Sequence, residues 1–283
     1  MYLKGGEDML FSYRFGDFYL RHAIDEAPED KDFIMHIHDV CEIYFFISGD
    51  VKYLVEGSEY MLDEGSLMIM RPSEAHKPKI LSSKRYERFS INFPVSFAEE
   101  IDPMGNLTSM FADKTLGKRN MFSLSDIDIK LIKSLFSQMC EECSEYERRL
   151  TINTHLLFIL DMLMRAYPKN ESYEYSTPSV TVRMVNYVND HLFDDISIPD
   201  ISRHFFLSPS QFSRVFKQAT GATPWEYITK KRLTAVKERI STGAHANRAA
   251  QECGFGDYSS FYRAYVNHFG SSPTADARSA KAK

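Results

Sequence analysis

Residues 36–49 read HIHDVCEIYFFISG: two histidines one residue apart, a glutamate four residues past the second, and a glycine beyond six more. Side chains alternate along a strand, so His36, His38 and Glu42 can share one face with Tyr44 and Phe46. His76, in the later stretch RPSEAH, can complete a set of three imidazoles and one carboxylate. Such donors suit iron, manganese, nickel or zinc. Without a metal, the same imidazoles and carboxylate are hydrogen-bond donors and acceptors.

A second chemistry is written in ISIPDISRHFFLSPSQFSRVFKQATG, residues 196–221. Phe212, Val215, Phe216 and Ala219 recur at i, i+3, i+4 and i+7, which predicts a helix with one buried stripe. Ser210, Gln211, Ser213, Arg214 and Lys217 are left off that stripe. A helix-turn-helix presents such a face to the major groove, where an arginine forks onto guanine and a hydroxyl or amide reads other base edges. Two lesser candidates are Cys140 and Cys143, a CxxC on a predicted helix that reads as packing rather than redox chemistry, and KTLGKR at 114–119, which reads as a solvated basic turn.

The elements that must position these groups differ along the chain. From residue 10 to about 95, runs such as FSYRFGDFYL, EIYFFI, VKYLVEG, EYML and SLMIM alternate with Gly, Asp and Pro turns, which predicts an all-β barrel or sandwich. At Ser125 the texture changes: Leu131, Ile132, Leu135, Met139 and Cys143 take helical spacing, and a second helix is expected from about Leu150. Its segment LLFILDMLM (156–164) is apolar nearly all round. Such a helix needs cover on two sides, the second being either a partner subunit or the barrel. Residues 168–179, polar and Pro-containing, read as a linker.

After Thr177 the pattern is helical, with about seven short helices. Ser197, Ser208, Thr223 and Ser272 read as N-caps, and Gly221, Gly243, Gly254 and Gly270 as stops. A weaker copy of the first unit follows in HANRAAQECGFGDYSSFYRAYVNHFG (245–270), with Ala246, Ala249, Ala250 and Cys253 as one stripe and Phe261, Ala264 and Tyr265 as the next. Tyr258, Ser259, Ser260 and Arg263 are left outside. The long helix TPWEYITKKRLTAVKERIST joins the two units, so their outer faces can enter successive major grooves.

The 283 residues exceed one typical domain, and the net charge of −5 is unevenly spread. Residues 1–177 hold 20 Lys+Arg against 30 Asp+Glu, whereas 178–283 hold 14 against 9. A basic module fits a nucleic-acid partner. Four scattered cysteines and an N-terminus without an apolar signal core point to the cytoplasm. The most apolar run is too short to cross a membrane.

Residues 180–273 resemble the DNA-binding domain of AraC-type transcription regulators: LSPSQFSRVFKQATGATPWEYITKKRL and AAQECGFGDYSSFYRAYVNHFGSSP match that family's recurrent stretches in order and spacing. The second unit departs from it, with Ala246 and Ala249 in place of larger aliphatics, and Val266 and Asn267 in place of lysines. Residues 197–242 hold eight Lys+Arg against three acids, and 244–270 two against two, so the second reader is expected to grip phosphates less firmly.

Residues 36–49 are likewise similar to the metal-binding motif of cupin barrels, HxHxxxExxxxxxG. In the second cupin motif Gly65, Pro72 and His76 are kept, but one extra residue separates Gly65 from Pro72 and Glu74 stands in place of glycine. The combined resemblance implies an α+β multidomain regulator: a cupin-like effector barrel (1–124), a helical dimerisation segment (125–167), a linker (168–179) and an all-α tandem helix-turn-helix domain (180–283). The expected effector set is His36, His38, Glu42, Tyr44, Phe46 and His76, remote from the recognition helices. No resident cofactor is expected, with a divalent metal on His36, His38, Glu42 and His76 as the alternative occupant. Expected partners are double-stranded DNA, a small effector, a second copy of the chain and RNA polymerase, with no membrane. The competing reading is a metal-dependent cupin oxygenase or isomerase, for which a fused DNA reader has no obvious use.

Overall fold

The structure, a computed structural model, describes residues 8–112, 116–122, 128–167 and 179–281. The boundary expected at 124–125 and almost all of the expected linker lie outside the described residues. Among the described residues eight antiparallel strands form two sheets: β1 (Asp8–Phe15), β2 (Phe18–Asp25), β3 (Cys41–Ser48), β4 (Val51–Val55), β5 (Ser58–Met61), β6 (Leu67–Met70), β7 (His76–Ile80) and β8 (Tyr86–Phe93). Their orders are β1-β2-β8-β3-β6 and β5-β4-β7. β7 carries Pro78, which cannot donate to a ladder, and β7 is accordingly an edge strand.

Alternation along β3 sorts its side chains onto two cores. Cys41, Ile43, Phe45 and Ile47 pack against helices, whereas Tyr44 and Phe46 turn inward among Val51, Tyr53, Met68, Met70 and Tyr86. Two short helices, α1 (Ser96–Glu99) and α2 (Ser109–Ala112), lead to α3 (Ile129–Met139) and α4 (Glu145–Ala166). Ile132, Leu135, Phe136 and Met139 of α3, with Ile152, Leu156, Ile159, Leu160 and Leu163 of α4, cover the outer face of the larger sheet.

α4 begins five residues before the expected Leu150, because Ser144 and Glu147 form a capping box that SEYE already spelled. Cys143 lies beyond the end of α3 and is exposed, while Cys140 is its C-cap and packs on the core. The barrel thus covers one side of α4. Tyr146, Leu150 and Phe158 on the other side remain exposed.

Seven helices follow among the described residues: α5 (Val180–Asp190), α6 (Ile198–His204), α7 (Pro209–Thr220), α8 (Pro224–Ser241), α9 (Ala246–Glu252), α10 (Tyr258–Phe269) and α11 (Pro273–Lys281). The caps fall where expected: Ser197, Ser208 and Thr223 each accept from the backbone three residues on, and Ser208 with Gln211 closes a full capping box. Both α6 and α9 end in a Schellman turn. Leu207 N–H donates to the Ser202 carbonyl, and Phe255 N–H to the Ala250 carbonyl, each at 3.0 Å. The left-handed residue is Gly254 in the second turn but Phe206 in the first, at φ 55 and 97% exposed.

The barrel and the first helical unit share a core. Met35, Ile37 and Ala75 join Met184, Val185, Val188, Ile201, Phe212, Phe216, Tyr227 and Ile228 in one buried cluster.

Candidate effector site and nucleic-acid interface

His36 and His38 do not lie on β3, which begins at Cys41; they lie on the segment before it, where His36 pairs in an isolated bridge with His76. That pairing, rather than strand parity, brings the imidazoles to Glu42. His38 Nε2 lies 2.9 Å and His76 Nε2 3.4 Å from the same Glu42 oxygen. His36 stands beside this cluster, its ring centroid 6.1 Å from that of His76.

The Nδ1 atoms of His38 and His76 contact the carbonyls of Val40 and Glu74, at 2.9 and 2.8 Å. A carbonyl only accepts, so Nδ1 carries the proton in both rings. The His76 Nε2 that faces the carboxylate then carries a second proton or shares a cation with it. Burial pulls the His76 pKa down, but hydrogen bonding and charge from Glu42 outweigh it, so the ring stays protonated to higher pH than usual. Burial would raise Glu42, yet His38 and His76 hold its carboxyl well below the usual range. His36 goes the other way: desolvation, with the charges of His76 and Arg21, pulls it down to about 3.

Tyr44 and Phe46 share the inward face with Glu42, as parity predicts, but both are buried, and Tyr44 Oη lies 2.6 Å from Tyr86 Oη. Between the sheets lies a polar lining that reasoning from sequence missed. Asn92 Nδ2 donates to Glu42 at 3.0 Å, and Arg88 pairs with Asp25 while its guanidinium lies 4.2 Å from the Tyr86 ring centroid. The signal was present: Arg88, Ser90 and Asn92 alternate with Phe89, Ile91 and Phe93 in YERFSINF. Such a stripe ordinarily reads as a solvent face, and only the pairing of Glu42 with Asn92 reveals it as interior.

Glu74, the departure from the cupin motif, is fully buried and accepts from Arg71 N, Arg71 Nη1, Gly117 N and Asn120 Nδ2 at 2.7–2.9 Å. The described part of KTLGKR is therefore not a solvated turn. Gly117 is buried and held to the barrel through that carboxylate.

In the helical half, Ser210, Gln211, Arg214 and Lys217 of α7 are exposed and Ser213 is half-buried; Tyr258, Ser259, Ser260 and Arg263 of α10 are all exposed. Tyr262, not anticipated from sequence, joins Tyr258, Ser259 and Arg263 around a cavity of about 350 Å³. A second cavity, of about 410 Å³, lies between the barrel residues Gly57, Glu59 and Lys79 and the helical residues Thr181, Val215, Gln218 and Ala219.

Residues 21–156 match the AraC-like ligand binding domain, and residues 201–279 match a helix-turn-helix domain. This chain belongs to the AraC family of transcription regulators. It is 25% identical over 247 residues to the probable transcriptional regulator LumQ of Photobacterium leiognathi, covering 87% of this chain and 92% of that one. It is 23% identical over 254 residues to the HTH-type transcriptional activator RhaS of Escherichia coli O139:H28 (strain E24377A / ETEC), covering 89% and 90%. ToxT of Vibrio cholerae aligns over 93% of this chain and 98% of its own, at 12% identity and a TM-score of 0.37. An AraC-family chain is a DNA-binding regulator with a ligand-binding domain, and the oxygenase or isomerase alternative lapses because the relatives are regulators rather than enzymes. Among the described residues no helix is long and apolar enough to cross a membrane.

Proposed function

We propose that this AraC-family regulator answers to a small polar effector of the sugar or polyol type, bound between the two sheets and at the mouth formed by His38, Glu42, His76 and Asn92. The observation that carries the reading is the inward polar lining. Asp25, Glu42, His76, Arg88 and Ser90 are all buried there beside Tyr44, Tyr53 and Tyr86. Buried polar groups cost free energy unless partnered, and a barrel that needed only a core would be filled with apolar groups. Hydroxyl groups match such donors and acceptors, and the tyrosine rings supply apolar faces. A thermal-shift screen of sugars and polyols tests this. A hit should raise Tm in the wild type and lose most of that effect in His38→Ala; a screen in which only apolar compounds stabilise would overturn it.

A second reading has its own observation. The three donor atoms of His38, Glu42 and His76 lie within 4.8 Å of one another, and both Nδ1 atoms are anchored on carbonyls, as in many metal-bound histidines. Ligand atoms about 2.1 Å from one metal stand about 3–3.4 Å apart, which suits zinc or another divalent ion. In that case the effector is the metal itself, and metal content of the protein purified without chelator separates the readings.

On the DNA side we assign base reading to Ser210, Gln211, Ser213 and Arg214 in the first unit and to Tyr258, Ser259, Ser260 and Arg263 in the second, with Lys217 on phosphate. The division into a barrel (1–124), a helical segment (125–167), a linker (168–179) and a DNA-binding domain (180–283) belongs to the same reading, as do a cytoplasmic setting and contact with RNA polymerase. The exposed Tyr146, Leu150 and Phe158 support α4 as a homodimer contact. Leu150→Glu with Phe158→Glu should then sediment as a monomer.

A further inference from the structure

Two backbone stretches of the barrel, 35–39 and 73–76, serve two sites at once. His36, His38 and His76 face the barrel cluster, while the intervening Met35, Ile37 and Ala75 are buried in the core of the first helix-turn-helix unit. The stretches are tied to each other: His36 N–H donates to the His76 carbonyl at 2.8 Å, His76 N–H returns to His36 at 3.0 Å, and Ser73 N–H donates to His38 at 2.8 Å. A displacement of either histidine toward an occupant therefore moves both stretches, and with them residues that belong to the other domain's core.

The same stretches are gripped by α8, the helix that joins the two units. Lys230 Nζ donates to the Met35 carbonyl at 3.2 Å, Lys231 Nζ to the Ser73 carbonyl at 2.7 Å, and Lys237 pairs with Asp39 at 3.0 Å. Lys231 also pairs with Glu56, a buried carboxylate that accepts from Tyr227 Oη and, at 2.9 Å, from Asn189 Nδ2. Glu56 is bound to Ala75 in both directions, donating from its N–H at 2.9 Å and accepting on Oε1 at 2.7 Å. Both barrel residues that hold Lys231 have left-handed backbone, Glu56 at φ 48 and Ser73 at φ 68. Residues with a Cβ rarely adopt it, and strain of this kind gathers at elements with two states. A buried ion pair adds little net stability yet fixes one registration, because parting it would strand two charges.

We propose that 35–39 and 73–76 act as a two-faced relay: occupancy of the His38–Glu42–His76 face sets how tightly the opposite face holds α8 and the first helix-turn-helix unit, with Glu56 and Lys231 as the lock. The relay rests on the reading of that cluster as the effector site. Its reach is selective. The core of the second unit, from Leu233 through Tyr265, contains no barrel residue among those described. Occupancy is thus transmitted to the cores of α7 and α8, and to α10 through α8 and the Asp39–Lys237 pair, whose Lys237 Nζ lies 4.8 Å from the Phe269 ring centroid.

The test uses four full-length proteins: wild type, His76→Gln, Glu56→Gln and the double variant. Amide hydrogen exchange in α7 and the first half of α8 should rise at least fivefold in His76→Gln, while α10 stays within twofold of wild type. In the Glu56→Gln background, where the lock is already open, adding His76→Gln should change α7 by less than twofold. Additive effects, equal responses in α7 and α10, or no response to His76→Gln would each overturn the relay. DNA selected from a random pool by the wild type supplies the second arm. His76→Gln should shift its Kd at least threefold, and the shift should vanish in Glu56→Gln. A wild type that selects no DNA defeats the regulator reading, and the exchange data still decide the relay. If Glu56→Gln does not fold, Lys237→Met replaces it: it parts the half-exposed Asp39 pair and loosens the grip of α8 on 35–39 with the lock in place, so the effect of His76→Gln on α7 should shrink without vanishing, and an unreduced effect would overturn the relay.

Discussion

Replacing Glu74 with the glycine that the cupin motif places there should destabilise this barrel strongly. The Glu74 carboxylate is fully buried and accepts four N–H groups, two of them from Arg71, whose guanidinium is 1% exposed. Arg71 also bonds the Met110 carbonyl and the Tyr167 hydroxyl. Removing one partner of a buried, hydrogen-bonded ion pair costs about 3–5 kcal/mol. The orphaned Gly117 N–H would add about 1–3 kcal/mol if dry, and water entering the vacated space would offset part of both. The expected loss for Glu74→Gly is thus about 3–5 kcal/mol, a large share of a typical domain's stability. Glu74→Gln keeps the shape but turns an NH2 group toward these donors, and should cost somewhat less. Urea unfolding followed by far-UV circular dichroism measures both. In a double-mutant cycle, Arg71→Met with Glu74→Gln should be less destabilising than the sum of the two, since the two side chains contact each other directly and each single variant already loses that contact. A loss below about 1 kcal/mol for Glu74→Gly would refute this account, because it would mean the network contributes no more than a surface ion pair.

Phe206→Gly should stabilise the protein by roughly 0.5–1 kcal/mol, since a left-handed residue with a Cβ costs roughly 1–2 kcal/mol and glycine's extra chain entropy takes back part of that; an unchanged urea midpoint would mean the turn is unstrained. Arg214→Ala should lose about 1–3 kcal/mol of specific DNA binding and relax preference at one base, whereas Lys217→Ala should weaken all sequences alike and flatten the salt dependence; binding-site selection on both variants tells them apart. The folded pKa of His36 lies at about 3, below its unfolded value of 6.5, so stability should fall as pH drops from about 6.5 toward 3, by at most ~1.4 kcal/mol per pH unit. The folded pKa of His76 is raised, so its contribution is full below about pH 6.5 and is lost as pH rises through the folded value. Urea midpoints in EDTA between pH 4.5 and 9 should therefore lose acid sensitivity in His36→Gln and alkaline sensitivity in His76→Gln. Variants that keep the wild-type profile would remove these groups as its cause.

Local grammar was the legible part of the sequence. Ser197, Ser208 and Thr223 each named a helix start that the structure keeps, and Glu42, Tyr44 and Phe46 do share a face. What escaped reading depends on pairing between distant segments. His36 and His38 reach Glu42 from outside the strand because His36 bridges His76 forty residues on. Asn92 and Arg88 line the interior because β8 lies between β2 and β3, a neighbourhood that no local pattern encodes. Met35 and Ile37 looked like barrel residues, and nothing near them announces that their partners are Phe212 and Phe216. The expectation that the histidines stand remote from the recognition helices fails for the same reason.

Charge counting misjudged the two DNA readers in an instructive way. Eight cations against three acids in 197–242 suggested a much firmer phosphate grip than two against two in 244–270. Most of those eight are engaged within the protein. Arg203 pairs with Asp200 and Arg239 with Glu252, Lys230, Lys231 and Lys237 hold the barrel, and Arg232 donates to the carbonyls of Leu192, Asp194 and Gly254. Arg214 and Lys217 are exposed and take no ion pair among the described residues; in the second unit Arg248 pairs with Glu252 and Arg263 stays exposed. The excess of free charge shrinks from several cations to about one. Salt dependence counts cations that neutralise phosphates rather than those in the sequence, so the two units should contribute more equally to the salt slope than composition implies. Opening the relay would change that balance, because it would release Lys230, Lys231 and Lys237 from the barrel and return their charge to the first reader.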